Sequence, residues 1–78
     1  MAIVMLLDQM ASRSGPDRVP EFKDALNQRF GERLELPFTR TTGDEMQAVL
    51  RPGSLGAVAR LALTDGGWWI GIGTGEVE

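Results

Sequence analysis

Seventy-eight residues with neither cysteine nor histidine allow one domain and exclude disulfides, thiolate zinc sites, cysteine nucleophiles and histidine-based catalysis. Eight Lys+Arg against eleven Asp+Glu give a net charge of −3. That argues against nucleic acid as a ligand, since non-specific binding to it is driven by cationic charge. At 42% hydrophobic and 24% charged the chain has the composition of a folded protein, close to the smallest size that holds a core without staples.

The first element is the apolar run Ala2–Leu7. It is apolar on both parities, so it reads as a central strand covered on both faces. Asp8 ends it, and Gln9–Pro16 reads as a loop of small and polar residues. No apolar run approaches the ~20 residues of a membrane span. The opening segment also lacks the basic start of a signal peptide, so no membrane contact and a cytoplasmic location are expected.

A helix is predicted to start near Pro16–Val19, capped by Ser14 or Asp17. Val19, Phe22, Ala25, Leu26 and Phe30 recur at helical spacing and form its apolar face. Gly31 is the expected residue after its last turn, free to take a positive φ. Leu34, Leu36 and Phe38 then alternate on one face of a second strand. Pro37 cannot donate to a ladder, so this strand belongs at a sheet edge.

Thr42-Gly43-Asp44-Glu45 reads as a tight turn, with Gly43-Asp44 suited to a two-residue hairpin loop. Met46, Ala48 and Leu50 share one face of the return strand, and Val49 takes the other. Ser54 is a predicted N-cap for a helix carrying Leu55, Val58, Ala59 and Ala62. After the turn Asp65-Gly66-Gly67 comes a last strand. Trp68, Ile70 and Ile72 lie on one of its faces, and Trp69, Gly71, Gly73 and Gly75 on the other. Trp68 is expected in the core and Trp69 on a contact surface, where the alternate glycines leave a bare strip.

The order β-α-β-β-α-β implies two split βαβ units with right-handed crossovers. The result is an α+β, ferredoxin-like domain: a four-stranded antiparallel sheet in the order 4-1-3-2 with both helices on one face. This order sends the second strand to the edge, where Pro37 independently places it.

The same order sets the end of the first strand beside the start of the third. Asp8, Asp44 and Glu45 then meet at one corner of the sheet. Carboxylates that converge without a cation repel, and Mg²⁺ typically takes one or two of them along with water and phosphate oxygens. The alternative for Gly43-Asp44 is a plain turn, and for Asp8 a solvated strand end. The loop between Asp8 and the first helix offers backbone amides and the donors Ser12, Arg13, Ser14 and Arg18 for phosphate oxygens, or is a capped surface loop. Gly71-Ile72-Gly73-Thr74-Gly75 is not a dinucleotide fingerprint, because it lies in or after a strand rather than before a helix.

Asp8 after an apolar strand, Ser12-Arg13, Thr42-Gly43-Asp44-Glu45-Met46-Gln47 and Ile70-Gly71-Ile72-Gly73-Thr74-Gly75-Glu76-Val77 together resemble the SatD family of bacterial proteins. Family members usually carry Phe at the position of Met46. The resemblance covers the whole chain. It implies a longer protein with a further, largely helical C-terminal portion, of which this chain is the N-terminal domain and that portion a partner.

More distantly, the first-strand acid, the hairpin acids and the Gly-Ile-Gly segment resemble palm-like nucleotidyl cyclases, including GGDEF domains. That likeness implies Asp8 and Asp44 as metal ligands, Glu45 as a ligand or supporting acid, and Ser12, Arg13, Ser14 and Gly43 near a nucleotide phosphate. Thr42 stands where GGDEF domains have a second glycine, which speaks against guanine specificity. The expectation is Mg²⁺-dependent nucleotide binding, with phosphoryl or nucleotidyl transfer in the full-length protein. The alternative is a non-catalytic regulatory or interaction module that keeps the palm-like fold.

Overall fold

The computed structural model describes residues 2–10 and 15–75. Four strands and two helices follow the predicted order: β1 (Ala2–Gln9), α1 (Val19–Phe30), β2 (Leu34–Arg40), β3 (Glu45–Leu50), α2 (Leu55–Asp65) and β4 (Trp68–Gly75). The strands form one antiparallel sheet in the order β2-β3-β1-β4. This is the ferredoxin-like α+β arrangement, and β2 with Pro37 is at an edge.

Alternation decides which residues meet the helices. Ile3, Met5 and Leu7 of β1 lie opposite Leu50, Ala48 and Met46 of β3. Met5, Leu7, Met46, Ala48 and Leu50 are buried in one cluster with Val19, Phe22, Leu26 and Phe30 of α1 and Val58 and Ala62 of α2. Trp68 closes one end of this core. Its ring stacks on Phe22 at 4.8 Å between centroids, and its indole N–H donates to Asp65 at 2.8 Å.

The even positions Val4, Leu6 and Asp8 face the other side of the sheet, with Val49, Gln47 and Glu45 across β3 and Trp69, Gly71 and Gly73 across β4. No described residue of either helix covers this face, so β1 is covered on one face rather than two.

Three details differ from the expectations. Strand β1 runs to Gln9 rather than stopping at Asp8. Asp8 sits on the open face, where a charge stays hydrated, and Gln9 is buried but fully bonded. Gly31 has φ −44°, so α1 passes into a short 3-10 turn at Gly31–Arg33 instead of ending in a left-handed residue.

Leu36 does not share a face with Leu34 and Phe38. The β2–β3 register shifts between Leu34 and Leu36 and again between Leu36 and Thr39. Each extra residue flips the side-chain parity. Leu36 thus pairs with Val49 on the open face and is 57% exposed, while Phe38 returns to the core at 1%.

Asn27 of α1 stabilises the second irregularity. Its side-chain amide donates to the Phe38 carbonyl at 2.9 Å and accepts from the Phe38 N–H at 2.7 Å, in place of a strand partner. Glycine is required at the α2–β4 turn, where Gly66 and Gly67 take φ 77° and 82°. A Cβ on Gly67 would also come within 2.8 Å of the Arg18 guanidinium.

Candidate functional site

The acidic corner lies where β1, the β2–β3 hairpin and the start of α1 meet. Asp8 is directly opposite Glu45 in β3 and Trp69 in β4. Directly paired residues of neighbouring strands project to the same side. A row Glu45, Asp8, Trp69 therefore crosses three strands on the open face. Asp44 adjoins this row through its backbone, its carbonyl accepting from the Gln9 N–H at 3.0 Å. The Glu45 carboxylate accepts a short hydrogen bond from the Thr41 hydroxyl. Among the described residues no three Asp, Glu, His or Cys side chains are grouped to hold a metal ion.

The hairpin turn is closed by the Glu45 N–H donating to the Thr42 carbonyl at 2.8 Å, and Gly43 takes φ 44° at its tip. Arg40 fixes this tip to the helix. Its Nε donates to the Gly43 carbonyl at 2.8 Å, and one terminal nitrogen reaches both Asp17 oxygens at 2.8 Å. The hydrogen bond from Arg40 holds the Asp17 carboxyl below the ordinary carboxylate range, opposed by desolvation and assisted by the Val19 N–H and the Arg40 charge. The cap position of α1 is Arg18, with no side-chain cap bond, rather than Asp17 as expected; Asp17, one residue earlier, accepts from the Val19 N–H at 3.2 Å. The phosphate-binding expectations at Ser12, Arg13 and Ser14, and Ser14 as a cap, lie outside the described residues.

Two features of this corner escaped the sequence reading. Gln9, read as a loop residue, is the bracket of the β1–α1 connection. Its side-chain N–H donates to the Pro16 carbonyl and its side-chain oxygen accepts from the Arg18 N–H, each at 2.8 Å. The second is the clamp made by Arg18, which was expected as a donor toward phosphate and is instead engaged within the fold. The Arg18 side chain lies over the Trp68 ring at 5.3 Å, donates to the Gly66 carbonyl at 3.2 Å and forms an ion pair with Asp65. A polar residue at an inward position of a strand was the one available sign of Gln9. The clamp of Arg18 gave none, because its partners Asp65, Gly66 and Trp68 are distant in sequence.

The open face is the second candidate surface. Trp69 is 66% exposed, and with Leu36, Val4, Leu6 and Val49 it gives the face an apolar lining, interrupted by Thr39 and Gln47, beside the Asp8–Glu45 pair. Gly71 brings its backbone close to Leu6, where an added Cβ would stand 3.6 Å from the Leu6 Cβ. No described helix is long and apolar enough to cross a membrane. Comparison with protein-family models, curated proteins and solved structures finds no match to this chain.

Proposed function

We propose that the domain is an interaction module that takes an amphipathic helix on the open face of its sheet. The observation carrying this reading is the exposure of Trp69 and Leu36 on a face already lined by Val4, Leu6 and Val49. A two-layer domain leaves one sheet face for a third layer, and a helix is the usual cover. The chemistry of the occupant follows from the row Glu45, Asp8, Trp69. Two carboxylates and an indole favour a Lys or Arg side chain at one end of an otherwise apolar helix. The SatD resemblance offers a source, the further helical portion of a longer chain; a separate protein is the other.

A designed Leu/Ala helix with Arg at one end tests this by amide NMR and Trp fluorescence. Perturbations at Val4, Leu6, Val49 and Trp69, with a blue shift that Trp69→Ser removes, are the expected result. A control helix with Glu in place of Arg should bind more weakly. Unchanged spectra, or changes confined to the helical layer, reject the reading. A chain extended by its C-terminal portion that no longer binds the peptide identifies that portion as the occupant.

A second reading is Mg²⁺-supported nucleotide binding by Asp8, Asp44 and Glu45, with Gly43 and the donors Ser12, Arg13 and Ser14 toward phosphate. It is favoured by the direct opposition of Asp8 and Glu45. Two carboxylates on one face fit the one or two that Mg²⁺ takes from a protein, and the ion would supply neutralising charge for phosphate. Phosphoryl or nucleotidyl transfer in the full-length protein belongs to this reading. Titration with MgCl₂ and MnCl₂ should then perturb the Asp8 and Asp44–Glu45 amides first, and Asp8→Asn should suppress the response. No saturable response in the wild type removes this reading and leaves the interaction module.

A further inference from the structure

A broad concavity lies on the helical layer, away from the acidic corner and the open face. It is an open groove of about 1160 Å³ between the end of α1, the 3-10 turn after it and α2. Arg29, Arg33 and Arg60 all line it. Elsewhere among the described residues the cations are engaged: Arg18 with Asp65, Lys23 with Asp24, Arg40 with Asp17 and Arg51 with Glu35. Arg29, Arg33 and Arg60 have no ion pair among the described residues. In a chain of net charge −3, the described basic side chains without a carboxylate partner are therefore gathered in one groove.

Arg29 also lies over the Phe30 ring, 5.7 Å from its centroid, which anchors its head near the end of α1. Glu32 is the one carboxylate in the groove lining. Gly56 and Ala57 of the first turn of α2 complete that side, and an added Cβ on Gly56 would meet nothing within 4 Å. Ser54 does not cap these amides. Its hydroxyl donates to the carbonyls of Arg51 and Arg33, at 2.8 and 3.2 Å.

We propose that this groove binds a small molecule carrying two or more phosphate groups. Three guanidiniums against one carboxylate leave an excess of positive charge that a single monoanion does not balance. Arginine presents donors in a fixed fork that matches phosphate oxygens two at a time. The first-turn amides of α2 add donors beside the cations, and the helix dipole favours the same sign of ligand. Free polyphosphate and the phosphate chain of a nucleotide share this chemistry. The groove is separate from the open face and does not rest on the interaction reading.

The test is titration of the full chain with inorganic triphosphate, and separately with ATP, without divalent metal and at constant ionic strength. Arg side-chain Nε–H signals and backbone amides are followed by NMR. Saturable shifts should appear at Arg29, Arg33, Arg60, Gly56 and Ala57. Arg33→Gln and Arg60→Gln should each weaken binding by roughly tenfold, the scale of one charge-assisted hydrogen bond. Neither should change the melting temperature, and Arg51→Gln should leave binding intact. Equal affinity for triphosphate and ATP assigns recognition to the phosphate chain; tighter ATP binding adds the nucleoside. The proposal is overturned if neither ligand saturates, if the shifts spread equally to Lys23 and Arg51, or if binding survives both arginine substitutions.

Discussion

The two faces of the one sheet are built from the same apolar residue types and have opposite fates. Met5, Leu7, Met46 and Leu50 face the helices and are essentially sealed. Val4, Leu6, Leu36 and Trp69, one residue out of phase, face outward. Local apolarity does not separate the two sets. Topology does, because both crossovers put their helices on the same side. A residue's hydrophobicity therefore reports stability on one face and binding on the other.

The sharpest way to break this comparison is a pair of truncations in β2. Phe38→Ala should cost about 3–5 kcal/mol, which approaches the whole stability of a domain this size. Circular dichroism should show a largely unfolded chain. Leu36→Ser, two residues away, should stay within about 0.5 kcal/mol of the wild type. A folded Phe38→Ala variant, or an unfolded Leu36→Ser variant, would mean the parity assigned to β2 is wrong.

Next in size is Asn27→Ala. It removes both bonds to the Phe38 backbone and should destabilise by about 1–3 kcal/mol in chemical denaturation. A neutral effect would show that water replaces the side chain and that the irregular register persists without it.

On the open face, Asp8→Asn should stabilise. Like charges directly opposite on neighbouring strands are unfavourable, and relief is worth about 0.2–1 kcal/mol, up to ~6 °C in melting temperature. A lower melting temperature would instead mark Asp8 as a bonded strand residue.

The smallest effect concerns Arg40→Gln at the corner where the faces meet. The folded-state pKa of Asp17 is depressed, so the stabilisation it brings is present above the ordinary Asp range near ~4 and is lost as pH falls through the lower folded value. The stability difference between wild type and Arg40→Gln should therefore shrink below pH ~4. In the variant, the Asp17 carboxyl should titrate nearer its usual position by NMR. A gap that does not change with pH would assign the contribution of Arg40 to its bond with Gly43.

Most of the fold was legible because two independent constraints agreed. Element order required β2 at an edge, and Pro37 required the same. The place of Leu36 was not legible, since alternation assumes an unbroken register and the two shifts depend on Asn27, eleven residues from Phe38. At the acidic corner, the meeting of Asp8 with Glu45 followed from strand adjacency. The clamps made by Gln9, Arg18 and Arg40 did not, because each joins segments that only tertiary packing brings together. The arginine groove was hidden for the same reason: Arg29, Arg33 and Arg60 come from three separate elements.

The strand order also governs how the molecule assembles in time. Only the β2–β3 hairpin joins neighbours in sequence. Strand β1 must wait for β3 on one side and for β4 on the other, with Ala2 finally meeting Gly75. Loops of that length close slowly, and chains dominated by such distant pairings fold on the slower side for their size. Until then Ala2–Leu7 is an uncharged, strand-prone segment without its partners, the kind of sequence that seeds intermolecular pairing. Asp8, at its end, is the nearest charged side chain to oppose that, so the acid at the corner of the finished sheet also acts as a gatekeeper while the sheet is being made.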